Sequence, residues 1–92
     1  MIELLFFSGK HCGICQALKP KLLDEVTSKF SNIAVQVIDT SNQLEFAAQH
    51  LVFTLPVVII LMDHKEQYRF VRSFSVFEVT DKLERLIQLQ SS

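Results

Sequence analysis

Cys12 and Cys15 are the only two cysteines of this 92-residue chain, and they stand in the segment Cys12-Gly13-Ile14-Cys15. If a helix opens there, a spacing of three places both thiols on one face of its first turn, at about the separation a disulfide requires. The unpaired N–H groups and partial positive charge of a helix N-terminus favour a thiolate at Cys12. Lys10 and a protonated His11 push the same way. A free thiol with a pKa of about 8.5 is a few per cent ionised at neutral pH, whereas one near 7 is about half ionised. The chemistry expected of the pair is dithiol–disulfide exchange with unequal roles. Cys12, at the exposed helix tip, attacks a substrate disulfide, and Cys15, one turn in and facing the core, resolves the mixed disulfide. Zinc is the rival chemistry, with His11 and another histidine completing a tetrahedral site. The sequence has no second Cys-x-x-Cys, and His11, next to Cys12, should point away from the face that the cysteines share.

The pair needs a strand before it and a helix behind it, and the chain supplies both. Ile2–Phe7 is an apolar run of strand length, suited to a position covered on both faces. A helix is expected from Cys12 to about Phe30, with Cys15, Leu18, Leu22, Val26 and Phe30 along one face. Pro20 should kink or split it, because proline removes the backbone bond to Gln16. Ile33–Asp39 is rich in β-branched residues and reads as a strand. A short helix is expected from about Gln43 to His50, with Asn42 and Glu45 as a variant capping box. Pro56 then begins the strand Val57–Met62, the strongest strand signal in the chain. Asp63–Glu66 reads as a polar turn into a fourth strand near Gln67–Arg72. In the last helix Ser75 and Glu78 form a capping box, Phe74 and Val79 a hydrophobic staple, and Val79, Leu83, Leu86 and Leu89 the buried stripe. The order β-α-β-α-β-β-α implies a parallel pair joined by a crossover helix, then an antiparallel hairpin, in one mixed sheet with helices on its faces.

Composition sets the outer limits. The length suits one domain spanning residues 1–92. Hydrophobic residues make up 49% of the chain, enough to supply a core, and eight of them are Phe, read as core and partner-facing surface. A net charge of −1 provides no field for nucleic acid or acidic lipid, so neither partner is expected. The start has no basic leader, and the longest apolar stretch, Leu51–Met62, falls short of the ~20 residues a membrane span needs. The expectation is a soluble, cytoplasmic protein, where a Cys-x-x-Cys pair is more often catalytic or metal-binding than structural. His50 and His64 read as helix-end and turn residues, and Asp39 as a strand-end or helix-cap residue.

Three features in register give a family likeness: Cys12-Gly13-Ile14-Cys15 after the strand Leu4–Phe7, Pro20 eight residues beyond Cys12, and Thr54-Leu55-Pro56 before a hydrophobic strand. Over nearly its whole length the chain resembles the thioredoxins and related small dithiol proteins. The resemblance implies a thioredoxin-like fold and a cis Leu55–Pro56 peptide beside the cysteines. It implies a substrate surface made by Leu55, Pro56, His11, Gly13 and Ile14, with the backbone of Leu55 pairing to an extended substrate segment. It also implies protein disulfides as substrates and a thioredoxin reductase or other dithiol protein as electron donor. No bound cofactor is expected, because the two thiols hold the electrons. A monomer is expected, with an unpaired edge strand open to weak dimers. The chain departs from the family pattern at several positions. His11 stands where Trp is usual, Ile14 where Pro is usual between the cysteines, and Phe6 where a buried acid is usual. The usual glycine after the last strand is absent, Ser73 being nearest, and so are the glutaredoxins' Gly-Gly and the typical extra N-terminal strand and helix. The alternative in a different class is a thioredoxin-fold interaction module or redox sensor with little turnover.

Overall fold

The computed structural model describes residues 1–91. The elements run β1 (Ile2–Ser8), α1 (Gly13–Lys29), β2 (Ile33–Asp39), α2 (Leu44–Gln49), β3 (Val57–Met62), β4 (Lys65–Val71) and α3 (Val76–Ser91). The strands form one mixed sheet in the order β2-β1-β3-β4. β1 is parallel to β2 and antiparallel to β3, and β3 is antiparallel to β4. This is the β-α-β-α-β-β-α order expected from the sequence.

β1 and β3 occupy the two central positions, which explains why they are nearly continuous apolar runs: both faces of each must be covered. Successive side chains of a strand point to opposite faces. Ile2, Leu4 and Phe6 of β1, with Val58 and Ile60 of β3, therefore meet Leu22 and Val26 of α1 and Val79, Leu83 and Leu86 of α3. Leu5 and Phe7, with Val57 and Ile59, pack on the other face against Ile38, Ala47 of α2 and Val52. Each such side chain contributes roughly 1.5–3 kcal/mol when fully buried. Two helices thus cover one face and one short helix the other.

The helix ends show which polar groups hold them. Ser75 and Glu78 make the expected capping box: Glu78 N–H donates to Ser75 Oγ at 3.1 Å, and Ser75 N–H donates to Glu78 Oε2 at 2.7 Å. Phe74 packs on the cluster that holds Val79, as the staple requires. The box expected of Asn42 and Glu45 does not form. The cap of α2 is Gln43, without a side-chain bond, and Asp39 instead closes the turn that leads into the helix. Its carboxylate accepts from Ser41 N–H at 2.9 Å, and its carbonyl accepts from the N–H groups of Asn42 and Gln43 at 3.0 Å. α2 ends in a Schellman motif, with Val52 N–H donating to Ala47 O at 2.9 Å and Leu51 N–H to Ala48 O at 3.0 Å. Leu51 takes the left-handed position, φ 57°, that glycine usually fills there.

Other expectations are corrected. Pro20 does not split α1, which runs unbroken from Gly13 to Lys29, and Cys12 caps that helix rather than starting it. The β3–β4 turn is shorter than the expected Asp63–Glu66. Asp63 and His64 alone turn the chain with φ of 53° and 67°, and Met62 already pairs with Lys65. Two central residues of positive φ match the right-handed twist of the flanking strands, so β4 begins two residues before Gln67 and ends at Val71. Leu89 is 60% exposed, because the buried stripe of α3 stops at Leu86.

Candidate functional site

The β1–β3 register sets Phe7 opposite Val57, so the residues just beyond them, Ser8 and Pro56, emerge side by side at one end of the sheet. Both chemistry-bearing segments start from that point. Ser8 leads through Gly9–His11 into the cysteines, and Pro56 ends the segment Thr54–Pro56.

Cys12 has an extended backbone, φ −99° and ψ 97°, and is the N-cap of α1, with its Sγ accepting a hydrogen bond from Cys15 N–H at 3.1 Å. A sulfur here occupies the place of the usual Ser, Thr or Asp cap oxygen. Cys12 and Cys15 are joined by a disulfide, with their Cα atoms 5.2 Å apart. Cys15 is 1% exposed and Cys12 is half-buried, so the pair presents one sulfur to solvent and holds the other inside. The first turn of α1 carries no acidic residue to oppose negative charge at its tip. The turn before it is braced by Cys12 N–H to Gly9 O at 3.3 Å and Gln16 Nε2 to Lys10 O at 3.2 Å. His11, Gly13 and Ile14 are exposed around the pair, Ile14 by 61%.

The Leu55–Pro56 peptide bond is cis. Pro56 is buried, while Thr54 and Leu55 are half-buried. Leu55 lies over Gly9, so the segment rests directly on the turn that leads to Cys12: a Cβ added at Gly9 would stand 2.8 Å from Leu55 Cδ1. On its other side the carbonyl of Pro56 accepts from Arg72 N–H at 2.9 Å. The site residues read from the sequence, Cys12, Cys15, His11, Gly13, Ile14, Leu55 and Pro56, therefore belong to two neighbouring segments. Gly9 joins them and Arg72 buttresses the second through Pro56, and neither was singled out by the sequence. Gly9 was visible only as part of a turn, and nothing marked Arg72.

Two hollows flank the site. A cleft of about 180 Å³ reaches Cys15 between Ser8, Lys10, Lys19 and Asp39. A more apolar cavity of about 420 Å³ lies on the α2 side of Leu55, bounded by Leu44, Ala48, Val52 and Phe53. Phe6, at the position where an acid is usual in the resembled family, is fully buried in the apolar core.

The other histidines lie elsewhere. His50 packs against the rings of Phe7 and Phe46, with its Nδ1 3.0 Å from Phe46 O. His64 is exposed in the hairpin turn, 3.4 Å from Glu3 Oε1. Among the described residues no group of three or more His, Cys, Asp or Glu side chains is placed to hold a metal ion.

Comparison with known proteins agrees with this geometry. The family model described as Thioredoxin matches residues 2–87. A thioredoxin-like protein of Bacillus subtilis, YdfQ, is 31% identical over 87 residues, covering 95% of this chain and 77% of its own. The chloroplastic thioredoxin Y2 of Arabidopsis thaliana is 30% identical over 88 residues, covering 95% of this chain and 52% of its own length. Among solved structures, thioredoxin 1 of Thermosipho africanus superimposes with a TM-score of 0.89 at 34% identity, covering 98% of this chain and 99% of that one.

Proposed function

The chain belongs to the thioredoxin family, and from that premise we propose that it is an enzyme of dithiol–disulfide exchange that reduces disulfides in other proteins. The observation that carries the reading is the cap of α1: Cys12 Sγ sits on Cys15 N–H at 3.1 Å, half-exposed, with Cys15 buried behind it. In the reduced protein the same N–H and the helix terminus favour Cys12 as the thiolate, the form that attacks.

The exchange proceeds in two displacements. Cys12 thiolate attacks one sulfur of a substrate disulfide; a Cys12–substrate bond forms, the substrate S–S bond breaks, and the departing thiolate takes a proton from solvent. Cys15 then loses its proton and attacks Cys12 Sγ. The Cys12–Cys15 bond forms and the second substrate thiolate leaves and is protonated. Two electrons have passed from the protein to the substrate; of the two protons the substrate gains, one comes from solvent and the other balances the one released by Cys15, leaving the disulfide form described above. The backbone of Leu55, beside Pro56, pairs with an extended stretch of substrate, and His11, Gly13 and Ile14 complete the surface around it. Thioredoxin reductase or another dithiol protein returns the electrons. The proposed setting is the reducing cytoplasm, and the proposed working form is a monomer.

A Cys15→Ser variant is expected to accumulate a mixed disulfide through Cys12, detectable by mass spectrometry. Trapping through Cys15 in a Cys12→Ser variant instead would reverse the assignment. Dithiothreitol-driven reduction of insulin by catalytic amounts of the protein tests turnover. A second reading, a redox sensor or interaction module with little turnover, is favoured by the fully buried apolar Phe6, which leaves Cys15 without a carboxylate at that position. It predicts only a stoichiometric response in the same assay.

A further inference from the structure

Among the described residues four non-glycine residues have a positive φ, and three of them are explained by the turns they make. Leu51 closes the Schellman motif of α2, and Asp63 and His64 are the two central residues of the β3–β4 hairpin. Arg72, with φ 62°, is different. Ser73 N–H donates to Val71 O at 2.8 Å, so Arg72 is the centre of a three-residue turn with positive φ, the rarer and strained hand of the γ-turn. Arginine has no side-chain chemistry that favours this conformation, unlike Asn, Asp or His. Backbone strain of this kind persists where surrounding structure holds it, and it concentrates at functional sites. Here the holding contact is Arg72 N–H to Pro56 O at 2.9 Å, which places the residue against the segment carrying Leu55.

The side chain has no ionic duty of its own. Its neighbour on β4, Arg69, is bound to Glu66 at 2.9 Å, but among the described residues no carboxylate pairs with Arg72, which is exposed. The carboxylate near the disulfide, Asp39, is taken up by Ser41 N–H and Asn42 Nδ2. Lys10 and Lys19 border the cleft at Cys15. The cleft at Cys15 thus carries two lysines against one carboxylate, and Arg72 adds an unpaired cation next to Pro56, although the whole chain carries a net charge of −1.

We infer that Arg72 is a specificity-determining residue: the strained turn holds its backbone against Pro56, and its exposed, unpaired guanidinium selects protein disulfides flanked by Asp or Glu. The inference rests on the exchange reading above and adds the class of substrate. Arg72 N–H bonds the carbonyl of Pro56, next to Leu55, so a substrate strand paired with Leu55 would run close to Arg72, and guanidinium pairs with carboxylate in a forked geometry that an ammonium does not reproduce.

The test uses the whole chain and three disulfide-bonded peptides that differ only in the residues flanking cysteine: Asp, Asn or Lys. The measured quantity is the ratio of kcat/KM for the Asp and Lys peptides. An exposed ion pair sets the scale, about two- to five-fold at low salt, shrinking as salt is raised. Arg72→Gln and Arg72→Gly are expected to bring the ratio toward one, whereas Arg72→Lys retains part of it. Glycine accepts the positive φ freely, so loss of the fold does not obscure that variant. An unchanged ratio in Arg72→Gln, or an equal loss of rate with all three peptides, overturns the role of Arg72 while leaving the exchange reading intact. Absence of turnover by the unmodified protein with every peptide overturns the exchange reading and this inference with it.

Discussion

Leu55 Cδ1 stands where a side chain on Gly9 would have to go: a Cβ added at Gly9 would lie 2.8 Å from it. The contact ties the segment beside Pro56 to the turn that delivers Cys12. Gly9 needs no unusual φ, so the close approach alone calls for glycine. Gly9→Ala is expected to fold with a loss of about 1 kcal/mol, the low end for overpacking, because the far end of Leu55 can move. Moving Leu55 should raise KM for protein disulfides more than it lowers kcat. In a Leu55→Ala background the extra effect of Gly9→Ala should vanish, since the clashing atom is gone; a double-mutant cycle reads this directly.

Arg69 holds the end of α2, just upstream of that segment. Its Nη2 donates to His50 O at 2.7 Å and its Nη1 to Leu51 O at 3.3 Å, while Glu66 grips the same guanidinium. The hydrogen bond from Arg69, reinforced by its charge, holds the Glu66 carboxyl below its ordinary value of 4.5. A carboxylate depressed in the folded state adds stability that is present above its unfolded pKa and is lost as pH falls through the lower folded value. Arg69→Met should therefore lower stability by about 1–2 kcal/mol near neutrality, mainly through the two carbonyls left without their donor. The gap in melting temperature between the two proteins should narrow as pH is taken from about 6 to about 3. A gap that widens on acidification would contradict this account.

Ser75→Ala removes the acceptor of Glu78 N–H and should destabilise the protein by about 1 kcal/mol. For a chain of this size that corresponds to roughly 4–8 °C in melting temperature. Disulfide exchange should be unaffected at temperatures well below the transition, because α3 contributes none of the residues around Cys12.

Phe6→Asp would restore an acid where the family usually has one, but the surroundings here have been rebuilt for an aromatic ring. Phe6 is packed in the cluster with Leu4, Leu22, Val26 and Leu83 and is fully buried. The substitution is expected to cost about 3–5 kcal/mol, with the buried carboxyl shifted upward by desolvation. A raised folded pKa means that stability falls as pH rises above the unfolded value near 3.9, at up to about 1.4 kcal/mol per unit. Denaturant titrations at mildly acidic and mildly basic pH should show the larger loss in the basic sample.

Much of this molecule is written in local patterns. Ile2–Phe7 and Val57–Met62 are apolar throughout because both strands are central, and Ser75 with Glu78 marks the start of α3 by spacing alone. The spacing of Cys12 and Cys15 after an apolar strand marks the start of α1, although the expected helix includes Cys12 and the observed one is capped by it. The misses arise where the sequence does not rank two residues for one duty, or where contacts distant in sequence set the backbone. Asn42 and Asp39 both lie near the start of α2; Asp39, the last residue of β2, closes the loop instead, its carboxylate taking Ser41 N–H and its carbonyl those of Asn42 and Gln43. Leu51 and Arg72 adopt positive φ without being Gly, Asn or Asp, so only the long-range contacts that hold them reveal it. Gly9 and Leu55 lie too far apart in sequence for pattern reading to join them.

Pro20 carries no N–H, so α1 lacks the backbone bond that would run to Gln16 O, although the helix continues through it. The turn bearing Cys15 is thereby linked to the stretch anchored by Leu22 and Val26 through one bond fewer than an uninterrupted helix would provide. Amide exchange should divide at that point. Protons before Pro20 would be released in brief local openings, and those beyond it only when the core itself comes apart. The end of the helix that bears Cys12 and Cys15 should therefore open without drawing on the stability of the sheet beneath it.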